Sequence, residues 1–369
     1  MNLDARARAA AQALDRSAMR VDPVAGLDDL LHRRRRQPLQ RAAVAAMALL
    51  VLVVAVWVGV VRHSPVPAVE PSLEPVTRIP VGSKPVSVAV TPGTAWVLNY
   101  GNATISRVNP ATNRVQATFS VPFAKEQGDL VLAMVADGKL WVVHGTPGAR
   151  ETAISAIDPS SSHTLTTFGF GGDVIQEWLA KPGDVAVGAG AVWVALQGED
   201  QVKRFDVATG ELLGTIPLPQ PTAVAIDGRT VWVATADGRL RSIDTRTGAV
   251  AVRASTPMVT RIRVGQGGVW LMTFDGKLLR LDPRTGRVVA QVPGAFQAAD
   301  LAVGAEGVWV YDQHQGAVLR IDPDTNRIVR TIQVISRPLV EVHSHVLAVG
   351  DGAVWVVDKA GEAVVRVDP

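Results

Sequence analysis

Glu341, His343 and His345 occupy alternate positions in the segment VEVHSHV. In an extended chain, alternate residues project to the same side. The three together could therefore act as a general acid/base group or contribute ligands to a divalent metal, although their spacing does not fix which metal. Asp312 and His314 lie one repeat earlier and could join them, which makes His314, Glu341, His343 and His345 the candidate catalytic residues. The plainer alternative is that all of them are solvated residues of connecting loops. His144 and Trp178 sit at comparable places in other repeats. Arg261 and Arg263 stand where other repeats carry small or apolar residues, so they could attract an anionic ligand or pair with carboxylates such as Asp300.

Several chemistries are absent from the chain. It contains no Cys, so disulfides, thiolate metal sites and a Cys nucleophile are excluded. Neither G-x-S-x-G, nor H-E-x-x-H, nor a phosphate-binding P-loop occurs. The glycine-rich runs VGAGAVW and VGQGGVW read as hairpin turns between strands, because neither is followed by a helix. IDPDTN alternates carboxylates but lacks the later Gly and Glu of a calcium loop.

The elements that must position these residues form a repeat. Trp96, Trp141, Trp193, Trp232, Trp270, Trp309 and Trp355 each follow an apolar strand and a Gly-containing turn. Their spacing of roughly 40 to 50 residues suits a four-stranded propeller blade. In the first copy the expected strands are 87–90, 95–100, 104–109 and 115–121. Each is short, β-branched and bounded by Gly, Pro or Asn. The IDPDTN turn places Asp322 to bond the backbone two residues on, and Asn326 where a left-handed residue is tolerated. Gly210, Gly248 and Gly286 fill that last place in other copies. The final copy ends at Pro369 after three strands, and VTRIPVG at 76–82 supplies the fourth. The expected fold is therefore all-β: a seven-bladed propeller of four-stranded antiparallel blades, closed by an N-terminal strand. Each Trp should wedge between neighbouring blades.

Three segments precede the propeller. Residues 1–41 form a tail with nine Arg and five Asp, a net +4, which leaves about −1 of the total +3 for the rest of the chain. The folded body thus shows no basic footprint for nucleic acid. Residues 42–61 carry no charge and would span about 30 Å as a helix, the thickness of the hydrocarbon core. With Arg33–Arg36 and Arg41 ahead of it, this signal-anchor helix should leave the N-terminus cytoplasmic and the remainder outside the plasma membrane. A cleaved signal peptide fits less well, because the apolar stretch is long and no A-x-A site follows. Residues 62–75 are a Pro-rich linker and 76–369 the propeller.

Links between blades, and from second to third strand, open on one face, the top. The longest insertions fall there: SVPFAKEQGDLV, FGGDVIQEWLAKPGD with Trp178, and VISRPLVEVHSHV. Variable loops on a rigid scaffold are where binding residues concentrate. The proposed ligand-binding face comprises His144, Trp178, Arg261, Arg263, Asp312, His314, His343 and His345.

WVLN at 96–99 followed by RVNPATNRV resembles the YVTN-type repeat. Residues 76–369 as a whole resemble the YncE-like propeller class, adjacent to the virginiamycin B lyase-like superfamily but without its catalytic signature. The anchor behind an Arg-rich tail resembles membrane-anchored bacterial envelope proteins and, more loosely, transmembrane regulators with a sigma-factor-binding tail. These readings imply a membrane-tethered extracytoplasmic module that binds a protein, peptide or envelope ligand. One alternative is a divalent-metal-dependent lyase or hydrolase built on the His/Glu cluster. Another is a transmembrane regulator whose tail, residues 1–41, binds a cytoplasmic partner.

Overall fold

The computed structural model describes residues 76–121, 130–146, 149–169, 184–294, 298–305, 307–335 and 345–369. The tail, the apolar segment 42–61 and the linker lie outside these residues, as do Trp178, Glu341 and His343. Among the described residues, no helix is long and apolar enough to cross a membrane.

Seven four-stranded antiparallel sheets follow one another along the chain. Blade 1 is built from Pro85–Thr91, Thr94–Asn99, Thr104–Asn109 and Arg114–Ser120. Its inner strand begins two residues earlier than the β-branched run alone predicts, because a bulge lets Pro85 pair with Asn99 and Ser87 with Leu98. Blade 7 joins Leu347–Gly350, Ala353–Asp358 and Ala363–Val367 to the N-terminal strand Thr77–Pro80. That strand runs antiparallel to Ala363–Val367, with Thr77 opposite Arg366 and Pro80 opposite Ala363. Closure of the ring by 76–82 is thus as the sequence predicts, and it gives the last blade its fourth strand.

The seven repeat Trp side chains are buried, none more than 1% exposed. Each packs against the next blade: Trp96 with Ala133 and Val142, Trp193 with Val224 and Val231, Trp232 with Val259 and Ile262, Trp270 with Leu301 and Val308. The inner strand opposite each Trp must be narrow. Its cross-strand partner is Ala in five blades, Met134 in the second and Arg263 in the fifth. On the other side, the third strand places an Arg opposite five of the seven Trp. Four of these guanidiniums stack over the indole, at 5.2–5.8 Å from the ring centroid: Arg107, Arg204, Arg280 and Arg320.

The bottom turns follow their side-chain chemistry. Asn109, Asp206, Asp244, Asp282 and Asp322 each accept backbone N–H bonds from the residues two and three positions on. The turn closes at a left-handed residue, Asn113, Asn326 or a glycine such as Gly210. These bonds stabilise the ionised form, which holds Asp206, Asp282 and Asp322 below the ordinary carboxylate value and brings Asp244 down to about 2.

Candidate functional site

The inner strands converge on the axis, and their entry geometry decides what points there. In blades 1, 2, 4, 5 and 6 the strand begins with a register shift. The residue after this bulge, nine positions before the Trp, is Ser87, Leu132, Ala223, Arg261 or Asp300; Asp184 and Val346 hold the same place in blades 3 and 7. Where this residue is polar and small, it stitches its blade to the next. Ser87 Oγ accepts the Ala133 N–H at 3.0 Å. Asp184 accepts from Val224 N at 3.4 Å, and Asp300 from Leu347 N at 3.0 Å. Blade 4 uses the bulged residue itself, Thr222, whose hydroxyl donates to the Val259 carbonyl at 2.8 Å.

Blade 7 closes this circuit through His345. Its carbonyl accepts from Val88 N and from Ser87 Oγ, at 2.9 and 3.0 Å. Its ring reaches across the axis: Nδ1 lies 3.3 Å from the Ala133 carbonyl and Nε2 lies 3.4 Å from Asp184 Oδ1. Arg263 stands between two carboxylates, 3.9 Å from Asp184 and 3.8 Å from Asp300. Arg261 Nε is 3.5 Å from Asp300 Oδ1. Five ionisable residues from blades 3, 5, 6 and 7 therefore meet in the upper half of the axis. Burial is the largest influence on Asp184 and pulls its pKa upward. The His345 hydrogen bond and charge, with Arg263 and Arg261, outweigh that and hold the carboxyl below its ordinary value.

The residues singled out from the sequence fall into separate environments. Arg261, Arg263 and His345 share the axial cluster, and the two arginines stand beside Asp300. His144 is buried at the end of the second strand of blade 2, where its ring bonds the Gly145 carbonyl at 2.7 Å and Ser155 Oγ at 2.9 Å. Asp312 is also buried and turned into its own loop, accepting from His314 N and Gln315 N at 2.9 and 3.0 Å. The His314 side chain is exposed on the top face. Among the described residues, no group of three or more His, Asp or Glu is arranged to hold a metal ion; Glu341 and His343 lie outside them. Asp184 was not foreseen, since it closes the long insertion 170–184. Its distance of nine residues from Trp193 is the signal that would have aligned it with Ser87, Arg261 and Asp300.

The top rim carries a second feature. Blades 4 and 5 link their second and third strands with the same turn, TADGR at 235–239 and TFDGK at 273–277. In both, the Thr hydroxyl bonds the Asp carboxylate and the turn's closing carbonyl, and Gly238 or Gly276 takes the left-handed conformation. In both, the second residue donates its N–H to the preceding blade link, Ala236 to Gln220 and Phe274 to Met258. The frame is shared, yet blade 5 holds a phenylalanine 77% exposed beside Met258 at 39%.

The fold recurs in solved structures with little sequence in common. A computationally designed protein, Ika8, aligns over 78% of this chain and 97% of its own, with a TM-score of 0.57 and 15% identity. The structure of U3-55K aligns over 81% and 100%, with a TM-score of 0.60 and 14% identity. No curated protein matches in sequence. Residues 150–368, more than half of the chain and four of its blades in full, match the family described as outer membrane protein assembly factor BamB. The WVLN segment at 96–99 lies outside that span. On the matched segment and on the propeller built from it, the chain belongs to the BamB assembly-factor family.

Proposed function

We propose that this protein is a membrane-tethered extracytoplasmic scaffold that binds a protein partner through the top face of its propeller. The observation that carries the reading is Phe274. Blade 4 makes the identical turn with Ala236, so neither strand pairing nor the turn calls for an aromatic ring at that position. A rigid turn that holds a large apolar side chain 77% exposed has the form of an interface anchor, with little conformational entropy to lose on binding. Met258 alongside adds a side chain that adapts its shape to a partner. The axial carboxylates are bonded to backbone amides of neighbouring blades, so their first role is to hold the ring in register.

The family description, an assembly factor for outer membrane proteins, agrees with a protein partner rather than a small metabolite. The uncharged stretch 42–61 and the Arg-rich residues before it support the tether and its orientation. The test is residue-specific photo-crosslinking in cells, with the photoreactive side chain placed at Phe274 on the top or Arg284 on the bottom. A discrete protein adduct from position 274 supports the reading. Adducts from position 284 alone would move the interface to the other face.

A further inference from the structure

We infer that the upper axis is a binding site for a carboxylate, formed by Arg261 and Arg263. Such a site would operate with or without the tether and the rim partner. Although the five-residue cluster contains two cations and two anions, its charges are not equally placed. The Asp184 and Asp300 side chains are 3% and 0% exposed, whereas Arg261 and Arg263 are 12% and 23% exposed. The carboxylates are buried and bonded to backbone amides, and the guanidiniums are the more exposed members of the cluster. A ligand reaching the cluster from solvent therefore meets the guanidiniums before the carboxylates.

The guanidiniums also retain donors. Arg261 donates to its neighbour's carbonyl, Thr260, and Arg263 to Ile262, each at 2.8 Å. Arg261 Nε is buried without a hydrogen bond, its approach to Asp300 being of ion-pair length only. The contacts of Arg263 to both carboxylates, at 3.9 and 3.8 Å, are likewise beyond hydrogen-bond distance. A guanidinium has five donors in a planar fork matched to a carboxylate. Arg261 Nε, buried and without an acceptor, carries a desolvation cost that an incoming carboxylate would offset. The scaffold does not require Arg263, since five blades place Ala at its position.

The class of anion follows from the charge balance. Arg261 and Arg263 are matched in number by Asp184 and Asp300, so a singly charged carboxylate is favoured over doubly charged phosphate, which the two deep carboxylates would repel more strongly. One carboxylate could come from a small acid or from the C-terminus of a peptide, and the chemistry at the guanidiniums is the same.

The test is calorimetric titration of the full-length protein in detergent at low ionic strength, with butyrate, inorganic phosphate, and one peptide carrying a free or an amidated C-terminus. Saturable binding of butyrate or of the free-terminus peptide is expected, and the stronger of the two identifies the source. The amidated peptide should bind at least tenfold more weakly than the free one. Arg263→Ala should weaken carboxylate binding at least tenfold without loss of the folded state. If that variant fails to fold, Arg263→Lys, which keeps the charge but not the fork, should weaken it at least threefold. Failure of both carboxylates to bind, tighter binding of phosphate, or unchanged affinity in the folded variant would overturn the assignment.

Discussion

Asp184 and His345 face each other across the propeller axis, Oδ1 to Nε2 at 3.4 Å, although one opens the inner strand of blade 3 and the other precedes that of blade 7. His345 also holds blade 1 through its carbonyl and blade 2 through its ring, while Asp184 accepts from blade 4. This one contact therefore couples the inner strands of five blades. Local pairing builds each blade; contacts of this kind fix the blades relative to one another.

The pH dependence follows from Asp184. Its pKa is lowered in the folded protein, so the stability it contributes is present above the unfolded carboxylate value of about 4 and is lost as pH falls through the lower folded value. Thermal unfolding followed between pH 7 and pH 3 should show a falling midpoint at the acid end. Asp184→Asn should flatten that fall, and an unchanged slope would show that other carboxylates govern it.

The Trp wedges carry the core. Replacing Trp232 or Trp309 by Ala should cost about 3–5 kcal/mol in chemical denaturation. Removing the stacked cation, as in Arg107→Ala over Trp96, should cost about 1 kcal/mol. If the two kinds of variant had equal effects, the indole would owe its role to the stack rather than to burial.

Ring closure depends on a strand remote in sequence. Arg78, on the closing strand, pairs with buried Asp358 of the same blade and donates to the Val334 carbonyl of blade 6. Arg78→Ala leaves that carboxylate without its cation and should destabilise by about 1–3 kcal/mol. Arg78→Lys should recover part of the loss.

The absence of native Cys makes topology simple to read. In intact cells, a membrane-impermeant maleimide should label Ser83→Cys, and it should label Ser17→Cys only after lysis. Labelling of both, or of neither, before lysis would refute the tether's orientation.

Much of the architecture is legible in the sequence because its determinants are local. A Trp, a Gly turn and an Asp- or Asn-led turn each act within a few residues, and seven copies reinforce the reading. The closing strand is legible for a similar reason, since 76–82 matches the outer strand of another repeat. Less legible is anything set by the bulges that open the inner strands. A one-residue shift decides whether position 261 or 300 points at the axis, and no composition rule announces it. His345 stood in a sequence cluster with His343 and Glu341, yet its ring is directed by residues from blades 2 and 3. Asp312 and His144 looked like ligands by type, and burial gives each its own hydrogen-bonding neighbours. Phe274 is not legible as a surface anchor because the sequence does not say which apolar residue of a turn is left in solvent.

The most direct measurement is a comparison of photo-crosslinking yields from Phe274 and Arg284 in otherwise wild-type protein in cells, each with a Met258→Ala control. The account predicts a protein adduct from the top position, weakened at least severalfold by Met258→Ala, and little or none from the bottom. Equal yields from the two faces, or a top-face adduct indifferent to Met258, would contradict binding through the blade 5 rim.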